Sequence, residues 1–181
     1  MVEVSLGQSR LRLEPAYIRH VEDKGGGPMN ELALAARFDS FRPAPPTAPL
    51  QPDMIQADGD ILILLLRPAD PALDPADRTA KLYARFLERD TWGHPGGLVM
   101  RRFATKSPYA DEELYIAQPD GRRFAARCMR PQQAHDGLPD TCIADLRIDA
   151  IDVNIRFSPD LLTDWEKIVQ GVQGLVLSMT R

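Results

Sequence analysis

The C-terminal segment from Ser158 onward limits the fold most, because it can form a helix with one apolar side. Ser158 can cap that helix, Pro159 suits its first position, and Asp160 complements the helix dipole. Gly171 and Gly174 each weaken a helix, which predicts close packing against a sheet at these positions. The polar side is mainly Asp, Glu and Gln, so packing on the chain's own sheet is favoured over a partner or a membrane surface. The apolar stripe repeats at three- and four-residue steps through Leu161, Leu162, Trp165, Ile168, Val169, Val172, Leu175 and Val176.

Alternating apolar and polar residues upstream of this helix predict antiparallel strands. Val2–Leu6 and Arg10–Leu13 form an opening hairpin that turns at Gly7. Ile61–Arg67 is apolar on both faces, which is typical of a strand inside a sheet. The same patterns predict strands at Leu32–Phe38, Leu98–Phe103, Leu114–Ala117, Arg123–Arg130, Thr141–Ile148 and Ile151–Phe157.

The remaining segments predict a shorter helix and several connections. Asp74 and Pro75 can start a helix, and its apolar positions predict an end near Asp90. We expect a loop at Trp92–Gly97 and a flexible loop at Lys24–Pro28, both rich in glycine. The five prolines between Arg42 and Pro52 exclude a helix or central strand and favour an extended surface connection over a proline-rich ligand.

Composition predicts one folded α+β domain over residues 1–181, mainly an antiparallel sheet packed by the C-terminal amphipathic helix and the shorter helix. The 44% apolar and 27% charged residues are ordinary for a globular protein. A net charge of −4 disfavours nucleic acid as a partner. The longest apolar run is Ile61–Leu66, too short to cross a membrane, and the residues after Met1 do not resemble a signal peptide. The chain is therefore either cytosolic or targeted by a segment outside it.

Cys128 and Cys142 lie in consecutive predicted strands. If those strands pair, the two sulfurs could meet and form a disulfide. Two buried thiols in a cytosolic protein are the alternative. A metal site is not expected, because two thiolates with no close pair of histidines do not supply four ligands.

Residues capable of chemistry are present, but their spacing indicates no catalytic, cofactor or metal site. Of the three histidines, His20, His94 and His135, His94 lies beside Trp92 in the predicted loop, and we treat these two as weak candidates for a site formed by loops. The acidic run Asp111–Glu113 is better explained as a solvated strand start than as a calcium site. Motifs for nucleophilic hydrolases, zinc proteases and nucleotide binding are absent from the sequence.

Three segments carry a family resemblance: Val2–Arg19, Phe124–Cys128 and Arg156–Trp165. They resemble uncharacterised proteobacterial proteins that are predicted to be membrane-anchored or exported. The resemblance implies an anchor before the domain, a folded region facing the periplasm, and a disulfide between Cys128 and Cys142. It implies no activity and no catalytic residues, and this chain lacks the anchor through which a membrane would be contacted.

Three hypotheses for function remain open. The first is a non-catalytic envelope module that binds a protein partner through a sheet face or through loops around Trp92 or Pro43–Pro52. The second is a small hydrolase or ligand-binding protein whose site forms from distant loops, around His94 and Asp111. The third is a cytosolic inhibitor or immunity-type protein with reduced thiols. The sequence identifies neither a partner nor an oligomeric state.

Overall fold

A large antiparallel sheet and a small sheet build the molecule, in a computed structural model that describes residues 1–45, 59–130 and 141–180. The large sheet has eight strands in the order β4-β5-β11-β10-β9-β8-β7-β6, and every neighbouring pair is antiparallel. The small sheet has the order β2-β1-β3. The strands are β1 Val2–Leu6, β2 Ser9–Leu13, β3 Gly27–Met29, β4 Leu32–Arg37, β5 Ile61–Pro68, β6 Leu87–His94, β7 Leu98–Phe103, β8 Glu112–Ala117, β9 Ala125–Met129, β10 Cys142–Ile148 and β11 Ile151–Phe157.

The C-terminal helix confirms the main prediction from the sequence. It begins with 3-10 turns at Pro159–Asp164 and continues as the α-helix α1 over Trp165–Met179. The Ser158 hydroxyl accepts a hydrogen bond of 3.3 Å from the Asp160 amide, as expected of a capping residue. The buried residues of α1 keep the predicted spacing and are Trp165, Ile168, Val172, Leu175, Val176 and Met179.

The side of the large sheet that α1 covers is called here the helix face, and the other side the far face. On β11 the buried Ile151, Val153, Ile155 and Phe157 point to the helix face. The main core contains these residues together with buried residues of β1, β2, β4, β5 and α1. A second, smaller core lies on the far face, where Tyr83 packs with Phe103, Leu114 and Ile116. The fold is therefore α+β, as the sequence predicts.

Cys128 and Cys142 form a disulfide, which confirms what the family resemblance implies and excludes the alternative of two free thiols. They lie directly opposite each other on β9 and β10, with their Cα atoms 4.0 Å apart. Both are buried, with 3% and 0% of their surface exposed. β9 and β10 pair over only three residue pairs, and the disulfide lies at the first of them.

The structure corrects the predicted helix that starts at Asp74. The Asp74 carboxylate caps the segment as expected, by accepting a hydrogen bond of 2.9 Å from the Ala76 amide. The helical turns run only from Pro75 to Phe86, in short 3-10 and π segments, and Leu87 begins β6 instead of continuing the helix to Asp90. Pairing of β6 with β7 therefore overrides the apolar pattern that Phe86 and Leu87 extend.

The predicted flexible loop at Lys24–Pro28 also differs from the structure. The segment Lys24–Pro28 contains the end of a 3-10 turn and most of β3, which pairs with β1 in parallel. Gly26 lies so close to β1 that a Cβ there would be 2.4 Å from the Glu3 carbonyl oxygen, so this glycine serves close approach to a strand. Of the proline-rich segment, residues 46–52 lie outside the described residues, as does His135.

The glycines of α1 only partly match the prediction of close packing against the sheet. The ring of Phe41, a residue that follows β4, occupies the space beside Gly171, at 1.9 Å from where a Cβ would lie. Gly174 has no atom within 4 Å of that point. The contact at Gly171 is therefore with a loop residue rather than a strand, and Gly174 faces open space.

Candidate functional site

The two weak candidates from the sequence, Trp92 and His94, lie in β6 and not in a loop. Only Pro95–Gly97 connect β6 to β7, because the first part of the predicted loop pairs with β7. In this register Trp92 is opposite Met100, and Met100 is opposite Tyr115. The side chains thus share the helix face beyond α1, and we name the following six the Trp92 patch: Trp92, His94, Met100, Arg102, Glu113 and Tyr115.

Arg102 lies between an aromatic ring and a carboxylate in this patch. Its guanidinium carbon is 4.8 Å from the centre of the Trp92 ring, a cation–π distance. Its Nε is 3.6 Å from a carboxylate oxygen of Glu113. Trp92 is 38% exposed, whereas Glu113 is 8% exposed. Trp and Arg side chains are enriched at protein interfaces.

Glu113 corrects the prediction that the run Asp111–Glu113 is solvated. It is buried because the register places it opposite Cys128 on β9 and Arg102 on β7. The Tyr115 hydroxyl donates a hydrogen bond of 3.1 Å to it. Burial, and then the charge of Glu113, raises the pKa of the Tyr115 hydroxyl to about 12. Tyr115 therefore stays protonated at neutral pH and cannot act as a base.

His94 packs against the same tyrosine, with ring centres 4.9 Å apart and nearly perpendicular planes. Its Nδ1 is 3.0 Å from the carbonyl oxygen of Pro95. Asp111 is not close to it: His94 lies beside the Ala117 end of β8, and Asp111 precedes the other end. A six-residue strand separates the two by about 20 Å. Asp111 therefore cannot be the carboxylate that orients His94 as a base.

The turn beside the patch is fixed to the start of α1. The indole nitrogen of Trp165 donates a hydrogen bond of 2.8 Å to the Gly96 carbonyl oxygen. A Cβ at Gly96 would lie 2.7 Å from the Thr163 carbonyl oxygen, and its φ is +83°, so glycine is required there for two reasons. The β6–β7 hairpin therefore has a defined position relative to the helix.

The structure also has an open cleft on the far face, between the short helical segment and β9–β10. Its lining includes Arg78, Arg122, Arg123 and Arg127. Arg78 forms an ion pair with Asp145, and Arg122 with Asp77. Arg123 forms an ion pair with Glu166, and Arg127 with Glu112. The basic charge of the cleft is thus neutralised internally, and the cleft does not attract anions as four free arginines would.

Sequence reasoning selected Trp92 and His94 by residue type but missed the other four members of the patch. Met100 and Arg102 alternate along β7, and Glu113 and Tyr115 alternate along β8. This period of two was visible in the sequence, but the register that brings the strands together was not. Among the described residues there is no group of three or more His, Cys, Asp or Glu side chains that could hold a metal ion.

Comparisons with known proteins show likeness of fold. No protein-family model matches the chain, and no curated protein matches it. An immunity protein of the Stenotrophomonas maltophilia type IV secretion system has a similar structure, with a TM-score of 0.66 and 16% identity, over 99% of this chain and 92% of that one. The iron-regulated outer membrane lipoprotein FrpD of Neisseria meningitidis is similar at a TM-score of 0.53 and 12% identity, with the same coverage.

None of the helices in residues 1–45, 59–130 and 141–180 is both long and apolar enough to cross a membrane.

Proposed function

We propose that this chain is a non-catalytic module that binds a protein partner, and that the Trp92 patch is its binding surface. The observation that carries the proposal is the exposed Trp92 with the Arg102 guanidinium over its ring, on the sheet face that also holds Tyr115. Trp, Tyr and Arg are the residues that dominate binding energy at protein interfaces. The buried Glu113 carboxylate is partnered by both Tyr115 and Arg102, as expected of a surface prepared for contact rather than for chemistry.

We further propose that the module faces the periplasm. The disulfide between Cys128 and Cys142 supports this, because such bonds persist in oxidising compartments and are rare in the cytosol. The likeness of fold to an outer membrane lipoprotein is in keeping with it. Mass spectrometry of the protein isolated from its own cells, with thiols blocked before lysis, tests the compartment. Free thiols at both positions would contradict it.

A site-specific cross-linking experiment tests the binding surface. A photoreactive amino acid replaces Trp92 in the full chain in its own cells, and in a matched chain it replaces Met129. Met129 is a suitable control because it is 39% exposed, as Trp92 is at 38%, but lies on the far face. We expect a discrete adduct from position 92 and not from position 129. Equal adducts from both positions, or none from position 92, would contradict the proposal.

An immunity-type role is a second candidate, because a solved immunity protein shares the fold over nearly the whole chain. In that case the partner is a toxic protein that the module neutralises by binding. Toxins are expected among the genes adjacent to this one, and co-expression with the chain should restore growth. The variant Trp92→Ala should fail to restore growth while Met129→Ala succeeds. Rescue by both variants would argue against the Trp92 patch as the neutralising surface.

A further inference from the structure

The strand that carries Trp92 ends the large sheet. Among the residues that the structure describes, β6 pairs with β7 and with no other strand. The opposite end of the sheet is covered, because Ile18 and Pro43 form bridges with β4 and the Ala44 amide donates to the Ala35 carbonyl. The outer edge of β6 therefore presents backbone donors and acceptors to which an extended peptide can add.

The two halves of β6 differ in regularity and in charge. The first half, Leu87 to Asp90, has a register shift against β7 and contains the consecutive charged residues Glu88, Arg89 and Asp90. Bulges and charges of this kind discourage strand addition. The second half, Thr91 to His94, pairs residue by residue with β7 and contains no Asp, Glu, Lys or Arg. Only the second half suits an added strand.

We infer that Thr91–His94 pairs with an extended segment of the protein partner, which becomes a ninth strand of the large sheet. This inference rests on the proposed function and specifies how binding occurs. Alternate side chains of the added strand lie about 5 Å from Trp92 and His94, a distance at which aromatic and β-branched residues pair well with an indole. The segment therefore has aromatic or β-branched residues at every second position.

Charge specifies one end of that segment. A strand that continues past Thr91 meets the exposed carboxylates of Glu88 and Asp90, with the guanidiniums of Arg89 and Arg101 close by. Within the described residues neither carboxylate has an ion-pair partner. A Lys or Arg at the end of the added strand that lies beside them can form an ion pair with one of these two carboxylates.

The edge is also prepared for binding before the partner arrives. The Trp165 indole fixes the turn at Gly96, and the Arg101 guanidinium donates to the Glu88 carbonyl oxygen beside the bulge. A strand that is already held in its bound conformation loses less entropy when a peptide adds to it.

A displayed library of randomised ten-residue peptides tests the inference, with selection on the wild-type chain and counter-selection on Trp92→Ala. We expect enriched peptides with alternating aromatic or β-branched residues and a basic end. They should bind Trp92→Ala at least about ten-fold more weakly and Met129→Ala equally well. Amides within 91–94 should become protected from hydrogen exchange when the peptide binds. A synthetic copy with alternate amides N-methylated along the pairing edge should lose at least about ten-fold in affinity, because backbone pairing requires those donors.

Each other outcome overturns the inference. Peptides that keep their affinity after N-methylation bind through side chains, and failure of enrichment shows that no extended segment is recognised. In both cases the proposed function still stands if the cross-link at position 92 forms, and it fails with the inference if that cross-link is absent. A dimer in sedimentation experiments that Trp92→Ala abolishes would assign the edge to a second copy of this chain.

Discussion

Replacement of the two glycines of α1 by alanine tests the packing of the helix with a matched pair of variants. In a helix interior alanine is favoured over glycine by about 1 kcal/mol. Gly174 has no atom within 4 Å of the position of an added Cβ, so Gly174→Ala should raise the free energy of unfolding by about that amount. Gly171→Ala gains the same propensity but places its Cβ 1.9 to 2.3 Å from three ring carbons of Phe41.

The Phe41 backbone is held in place, so only rotation of the ring about its side-chain bonds can relieve the contact. Its backbone has φ of 54°, its amide donates to the Arg37 carbonyl at 2.8 Å, and its carbonyl accepts from the Tyr17 hydroxyl at 3.0 Å. Forced overpacking of this kind costs about 1 to 3 kcal/mol. Gly171→Ala should therefore be neutral or destabilising by up to about 2 kcal/mol. Its free energy of unfolding should lie about 1 to 3 kcal/mol below that of Gly174→Ala.

Urea unfolding followed by circular dichroism measures both variants and the double-mutant cycle with Phe41→Ala. In the Phe41→Ala background the clash is gone, so Gly171→Ala should stabilise by about 1 kcal/mol, as Gly174→Ala does. Equal free energies of unfolding for Gly171→Ala and Gly174→Ala in the wild-type background would refute the reasoning. That result would show that the Phe41 ring does not occupy the space beside Gly171.

Three further predictions concern the disulfide, a tyrosine and a helix cap. Replacement of Cys128 and Cys142 by serine should lower the free energy of unfolding by roughly 3 kcal/mol, because the bond links residues 14 apart; an unchanged urea midpoint would contradict this. Tyr115→Phe should remove the tyrosine ionisation near pH 12. Because folding raises this pKa above 10.0, the phenol's contribution to stability is present below pH 10.0 and lost toward pH 12, so wild type should lose stability there more steeply than the variant. Asp74→Ala removes the bond to the Ala76 amide and should cost about 1 kcal/mol in urea unfolding, whereas no change would show that the cap contributes nothing.

The sequence predicts most strands and the C-terminal helix because their patterns are local. Ile151–Phe157 alternates strictly, and the structure has β11 at those residues. Segments whose state depends on distant pairing were predicted less well. Phe86 and Leu87 fit the apolar side of a helix, yet contact with β7 makes Leu87 the first residue of β6. The parallel pairing of β3 with β1 could not be predicted either. Glycine and proline indicate a loop when only the neighbouring residues in the sequence are considered.

The candidate site depends on register in the same way. Trp92 could be selected from its residue type, but its contact with Arg102 joins two strands and its network continues into a third. Glu113 appeared solvated in the sequence because two acids precede it, and the register opposite Cys128 buries it. A one-residue shift in the register of β8 would turn Glu113 and Tyr115 to the far face, away from the other members of the Trp92 patch.

The position of the disulfide has a consequence for how forces pass through this molecule. It bridges the middle of the large sheet, with four strands on each side: one half carries the covering helix, and the other carries the Trp92 patch. The seam between the halves has fewer residue pairs than the other junctions of this sheet. A pull on β6 loads that seam, and the covalent bond keeps the two halves joined if the hydrogen bonds of the seam open. Without the disulfide, the same pull would be resisted by the three residue pairs, by the bond from the Met129 amide to the Thr141 carbonyl, and by the bond from Trp165 to Gly96.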